Sequence, residues 1–246
     1  MTTQRARRIL KWTLGILGGL IVAAIAGILI WSQVGVMPAE AGPLAAVQDD
    51  PAITAHDTSA GIVLEPADGS GDAGLVFIPG AKVDPWAYAS KLSELVAEEH
   101  LTVVISRPWL NLAFFDPRPL ADFTSLAPDV ETWVVGGHSL GGVRSCQLAR
   151  DADGLILFGS YCANDLSASG LPVLSISGAN DGLSTPEKIA AARHLLPEDA
   201  ELVEIEGANH ASFGDYGPQP GDGPVTISDE DMAAELTSLV GEFFDR

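Results

Sequence analysis

Basic side chains are scarce in this sequence and unevenly placed. Arg5, Arg7, Arg8 and Lys11 supply four of the thirteen, so beyond Trp31 nine basic residues face thirty-three acidic ones. A domain that negative repels a phosphate backbone, which argues against nucleic acid as partner or substrate, and the charge also resists aggregation. Cysteine is scarcer still. Cys146 and Cys162 are too few for a disulfide framework and lack the spacing of a metal site. They can pair in a domain held outside the cytoplasm, although a small buried thiol is the commoner fate of an isolated cysteine. Neither sits in a convincing setting for a nucleophile. Internal repeats are absent, and the 246 residues suffice for one sizeable core once the first forty are set aside, so one globular domain is expected.

Charge is wholly missing from one stretch. Residues 12–31, WTLGILGGLIVAAIAGILIW, run twenty positions without an ionisable side chain. At about 1.5 Å per residue this matches a hydrocarbon core about 30 Å thick. A tryptophan closes each end, basic residues precede the run and acidic residues follow it, which sets the N-terminus in the cytoplasm and the remainder on the far side. Small residues at Ala39 and Ala41 fit a signal-peptidase site and keep a cleaved leader as the competing reading; the apolar run is longer than the usual leader, which favours an anchor. The expected organisation is a cytoplasmic N-terminus over residues 1–11, a transmembrane helix over 12–31, an Ala-, Pro-, Asp- and Gly-rich linker over 32–59 and a catalytic domain over 60–246. The protein is thus expected in the cell membrane, single-pass and with its domain extracytoplasmic, or secreted if the segment is cleaved.

Within the domain, short apolar runs at 61–65, 75–78, 102–105, 132–136, 154–158, 173–177 and 201–205 predict strands. They alternate with helical stretches at 84–99, 140–150, 186–196 and 229–244. Continuous apolar strands between helices predict an α/β fold with a mostly parallel central sheet covered on both faces. The stretch 107–119 carries three prolines with Trp109, Phe114 and Phe115, which fit core packing or the lining of a site equally well.

Between the apolar pair Val134 and Val135 and the helix beginning near Leu140 stands Gly-His-Ser-Leu-Gly-Gly. Gly137, Ser139 and Gly141 fit G-x-S-x-G. A strand turning sharply into a helix strains the nucleophile's backbone, and flanking glycines remove the side chains that would collide there. Ser139 is the expected nucleophile. The Leu140 N–H and the helix N-terminus would stabilise an oxyanion, with a second donor expected at Ala81, or next at Lys82, in the loop after the 75–78 strand. A hydroxyl needs a base and the base an orienting acid. Asp181 follows the 173–177 strand and His210 follows the 201–205 strand, in the order and at the carboxyl ends where ligand chemistry gathers. Asp165 is the fallback acid; His138, adjacent to the nucleophile, reads as a wall residue because neighbouring side chains on an elbow point apart.

The stretches FIPGAKVDPWAYA, VVGGHSLGG, LSISGANDGLST and IEGANHASFGDYG together resemble the α/β-hydrolase superfamily, in particular the small bacterial group related to dienelactone hydrolases. The resemblance covers residues 74–217 and implies an α/β-hydrolase fold with a Ser139, Asp181 and His210 triad. It does not imply a substrate. Dienelactone hydrolases resemble the chain in fold but carry cysteine as nucleophile, so Ser139 weakens a lactonase reading. About ten residues at 161–170 leave no room for a helical cap, so a minimal cap or none is expected.

The expected function is a serine hydrolase of a small carboxylic ester, lactone or thioester through an acyl-enzyme, with no metal and no organic cofactor. An envelope acyltransferase using the same triad, and a non-catalytic envelope binding protein, are the alternatives. Oligomeric state, chain-length preference and leaving group are not encoded in any motif.

Overall fold

Alternation within each strand explains why the apolar runs are continuous. In the strand over residues 73–78, Leu75 and Phe77 face one layer while Val76 and Ile78 face the other, and every one of the four is buried. Both faces of the sheet are therefore core. The computed structural model describes residues 2–69 and 71–246, without the side chains of Thr2, Thr3 and Ala6.

The chain forms two units, one ending at Val36 and the other comprising Met37–Arg246. The first is a single helix, α1 (Thr2–Gln33), longer than the expected span of 12–31; Met1 lies outside the described residues. Its apolar side chains are bare all round, from Ile9 and Trp12 to Ile30 and Trp31. A helix apolar on every side has no aqueous face to present.

The second unit holds one eight-stranded sheet in the order β1-β2-β4-β3-β5-β6-β7-β8. The strands are β1 (Ile53–Asp57), β2 (Gly61–Pro66), β3 (Ala73–Ile78), β4 (Thr102–Ser106), β5 (Thr132–His138), β6 (Gly154–Phe158), β7 (Val173–Gly178) and β8 (Glu201–Ile205). β1 with β2 and β2 with β4 are antiparallel; every other pairing is parallel. The helices are α2 (Ala41–Gln48), α3 (Ala89–Ala97), α4 (Ala121–Thr124), α5 (Leu140–Leu148), α6 (Pro186–Ala192) and α7 (Asp229–Phe244). On one face Leu92 and Leu95 of α3 and Leu236 and Val240 of α7 pack with Leu64, Leu75, Phe77, Val103 and Ile105. On the other, Phe123 of α4 and Cys146 and Leu148 of α5 pack with Val76, Val104, Val135 and Leu157.

Three expectations are corrected. The folded unit begins at Met37, not at residue 60: most of the linker is used, since α2 buries Val47 and β1 pairs with β2 along its length and buries Ile53. The aromatics Trp109, Phe114 and Phe115 are neither core nor shielded lining but exposed, at 56%, 68% and 49%. Cys146 and Cys162 are joined in a disulfide, which ties α5 to the segment after β6. That segment, between β6 and β7, carries no helix, so the carboxyl edge of the sheet has no cap there, as the spacing predicts.

Closing a loop of this size restricts the unfolded chain by about 3 kcal/mol. Replacing both cysteines by serine should therefore lower the thermal midpoint by about 6–12 °C, measured by circular dichroism under non-reducing conditions. An unchanged midpoint would show that the bridge contributes nothing.

Candidate active site

The elbow is built by close backbone packing. A side chain on Gly141 would place its first carbon 1.9 Å from the carbonyl oxygen of Ile78, and one on Gly137 would lie 2.6 Å from the backbone of Gly141. Only glycine lets α5 start this close to the end of β3. Ser139, between them, sits at φ 53° and ψ −121°, a left-handed conformation that costs a non-glycine residue energy. The strain is held by neighbours. Ser139 donates its N–H to the carbonyl of Phe158 at 3.1 Å, and the Ser160 hydroxyl donates to the Ser139 carbonyl at 2.6 Å.

Asp181 and His210 meet at the same edge. His210 Nδ1 lies 2.8 Å from Asp181 Oδ2, with both side chains buried. The other carboxyl oxygen accepts from the N–H groups of Leu183 at 2.8 Å and Ser184 at 2.7 Å, which fixes the orientation of the acid. A carboxylate only accepts, so Nδ1 carries the imidazole proton and Nε2 is left as the basic nitrogen. Gly159 threads between serine and acid: a first side-chain carbon there would stand 3.2 Å from Asp181 Oδ2, and its φ is +50°. Among the described residues no hydrogen bond joins the Ser139 hydroxyl to His210. The rings of His138 and His210 lie 4.4 Å apart, so His210 packs against the residue preceding Ser139.

Asp165, the fallback acid, goes elsewhere. It accepts from the Ser167 N–H and hydroxyl and lines a cavity of about 700 Å³ with Asp153 and Pro172, which precede β6 and β7 at the opposite edge of the sheet.

The two expected oxyanion donors are available. Neither Leu140 nor Ala81 donates its N–H within the protein among the described residues, whereas the N–H groups on either side of Ala81 are occupied. Gly80 donates to the Tyr88 hydroxyl at 3.0 Å and Lys82 to the Asn111 carbonyl at 2.8 Å. The Lys82 N–H, the second expectation, is thus already engaged, while that of Ala81 has no partner among the described residues.

Two residues that sequence reasoning did not single out also meet at this edge. Tyr88, whose hydroxyl accepts from the Gly80 N–H, also shares a hydrogen bond with His138 Nδ1 at 2.9 Å. Burial raises the Tyr88 pKa and holds that of His138 well below its ordinary value, with His210 nearby adding to the depression. His138 therefore stays neutral, a wall as expected, with Nε2 buried and unpartnered among the described residues. The second is Asp222, whose carboxylate accepts the N–H groups of Gly182 at 3.0 Å, His210 at 3.1 Å, Ala211 at 2.9 Å and Gly223 at 2.7 Å. One side chain thus clamps the loop carrying Asp181 to the loop carrying His210. Its signal in the sequence was the glycine on each side: Gly221 has φ +87°, and a side chain on Gly223 would strike the Asn180 carbonyl oxygen at 1.9 Å.

The α/β-hydrolase family description matches residues 74–234, and the chain belongs to that family of enzymes. No curated protein sequence matches it. Among solved structures, an esterase domain from a Rhodothermus marinus protein is similar at a TM-score of 0.58 and 15% identity, over 78% of this chain and 97% of that one. A Thermus thermophilus protein is similar at 0.56 and 14% identity, over 79% and 99%. A dienelactone hydrolase-like promiscuous phosphotriesterase from metagenomic libraries is similar at 0.51 and 15% identity, over 78% and 99%. At such identities the likeness is one of fold.

Removing the clamp should disorder two loops at once. Asp222→Ala is expected to lower kcat about 10²-fold with little change in KM, and Asp222→Asn, which keeps one acceptor oxygen, to fall between it and wild type. Equal kcat in all three proteins would assign the clamp no part in catalysis.

The neutral His138 gives a second expectation. Its folded-state pKa is depressed below 6.5, so the unfolded chain binds the extra proton and stability falls as pH drops through 6.5. His138→Gln should flatten this slope below about pH 6.5 by up to about 1.4 kcal/mol per pH unit in urea titrations. An identical slope would mean that His138 protonates freely in the folded protein.

Proposed function

We propose that the chain is a serine hydrolase of carboxylic esters, with lactones and thioesters as chemically equivalent acyl donors. Ser139 is the nucleophile, His210 the general base and Asp181 its orienting acid. The observation that carries the reading is the buried Asp181–His210 pair at 2.8 Å, at the sheet edge where Ser139 is held in its strained elbow. Serine alone is a weak nucleophile, and a base whose second nitrogen is locked by a carboxylate presents the correct nitrogen to it.

In the first half-reaction the Ser139 hydroxyl oxygen attacks the acyl carbon while its proton passes to His210 Nε2. The negative charge gathers on the former carbonyl oxygen, within reach of the Leu140 and Ala81 N–H groups and the N-terminus of α5. Collapse breaks the bond to the leaving group, which takes the proton from Nε2. Water then repeats the sequence, giving the free acid and restoring Ser139. The serine–imidazole hydrogen bond that this requires forms as substrate enters; such contacts are commonly loose in empty sites.

We further read the apolar part of α1, residues 12–31, as a membrane span, with the four basic residues at the start of the helix on the cytoplasmic side and the catalytic unit beyond. Its exposed apolar surface and length support this, and so does the Cys146–Cys162 bridge, since disulfides persist outside the cytoplasm.

Ser139→Ala should reduce turnover of a short-chain aryl ester by about 10⁴-fold or more and abolish labelling by a fluorophosphonate, leaving the circular dichroism spectrum unchanged. Full activity in that variant would overturn the mechanism.

A further inference from the structure

We propose that the catalytic mouth opens onto a lipid surface. Trp109, Phe114 and Phe115 enter the bilayer interface, so that the enzyme draws its esters from the membrane rather than from solution. The inference rests on the reading of the chain as an anchored serine hydrolase and assigns the source of its substrate.

The first observation is where apolar surface is left bare. Among the described residues of the catalytic unit, five large apolar side chains are exposed, and three of them are Trp109, Phe114 and Phe115. The loop displaying them is rigid from below. Arg118 pairs with the buried Asp116 and donates to the Arg107 carbonyl, and Asp116 also accepts the Trp109 N–H. Leu110 and Asn111 hold left-handed conformations, at φ 58° and 55°. Structure of this kind is not needed to leave three large aromatic residues in water. The indole of Trp109, apolar with one polar N–H, favours the membrane–water boundary, and the Phe114 and Phe115 rings add apolar area for insertion beside it.

Charge marks the same face. The catalytic unit is strongly acidic, yet between Glu99 and Asp122 the only carboxylate is Asp116, neutralised by Arg118. Nor is there one in the loop from Pro79 to Val83. This is the part of an otherwise repelling surface that can approach a lipid headgroup layer.

Chain connectivity limits how far this face can stand from a bilayer spanned by α1. The Met37 N–H donates to the Lys82 carbonyl at 2.8 Å and the Asp84 N–H to the Met37 carbonyl at 2.9 Å, so the first residue of the catalytic unit is fixed to the oxyanion loop. The Lys82 N–H in turn holds Asn111 of the aromatic loop. Only residues 34–36 separate Met37 from the end of α1 at Gln33. Three residues reach about 11 Å at most when extended, so the tether keeps Met37 within that distance of the end of α1.

The test uses the full chain reconstituted in phosphatidylcholine vesicles, assayed on diacylglycerol held in the bilayer and on water-soluble p-nitrophenyl acetate. The triple variant Trp109→Ser, Phe114→Ser, Phe115→Ser is expected to lose about tenfold or more on the bilayer ester and less than about twofold on the soluble one. Brominated lipid should quench tryptophan emission more in wild type than in Trp109→Phe. Equal losses on both esters, no loss on either, or quenching unaltered by Trp109→Phe would overturn the lipid contact. Ser139→Ala separates the two readings: it should abolish both activities while leaving quenching intact, and retained activity would refute the hydrolase reading and not the contact.

Discussion

The backbone of Ser139 is the constraint from which the rest of the site follows. A serine at positive φ relaxes unless its surroundings forbid it, and here they do: β3 presses on Gly141, the end of β6 takes the Ser139 N–H, and Ser160 holds its carbonyl. These contacts come from different parts of a sheet that is apolar on both faces. The strain at one residue is thus supported by the whole core, and the hydroxyl is aimed by packing rather than by its own rotamer preference.

The loops carrying Asp181 and His210 obey a different logic. They leave neighbouring strands, β7 and β8, and are irregular by necessity, because the side chains they carry must turn inward over the sheet edge. Irregular backbone leaves N–H groups without ladder partners. Asp181 takes two of these and Asp222 four, so carboxylates substitute for the missing secondary structure. In a chain rich in acid and poor in base, this gives part of the negative charge a local structural use.

What was legible in the sequence was local. Apolar runs announced seven strands, and the glycines around Ser139 announced the turn, because each signal lies within a few residues. Asp181 and His210 could be placed because they directly follow such runs. What was hidden depends on partners far along the chain. Tyr88 meets His138 fifty residues later, and Asp222 reaches back forty residues to Gly182. β1 escaped because only Ile53 of its five residues is buried, so it shows no alternation, and α2 contributes a single buried side chain, Val47. The cystine was left open for a related reason: its closure depends on the path of a segment with no regular structure after β6.

That cystine has a bearing on when the chain becomes fully braced. It fastens the helix launched from Ser139 to the strand connection beside it, and thiols in a reducing compartment do not remain joined. A chain folding under reducing conditions would do so with this helix unfastened. Full bracing of the scaffold is thereby coupled to an oxidising environment.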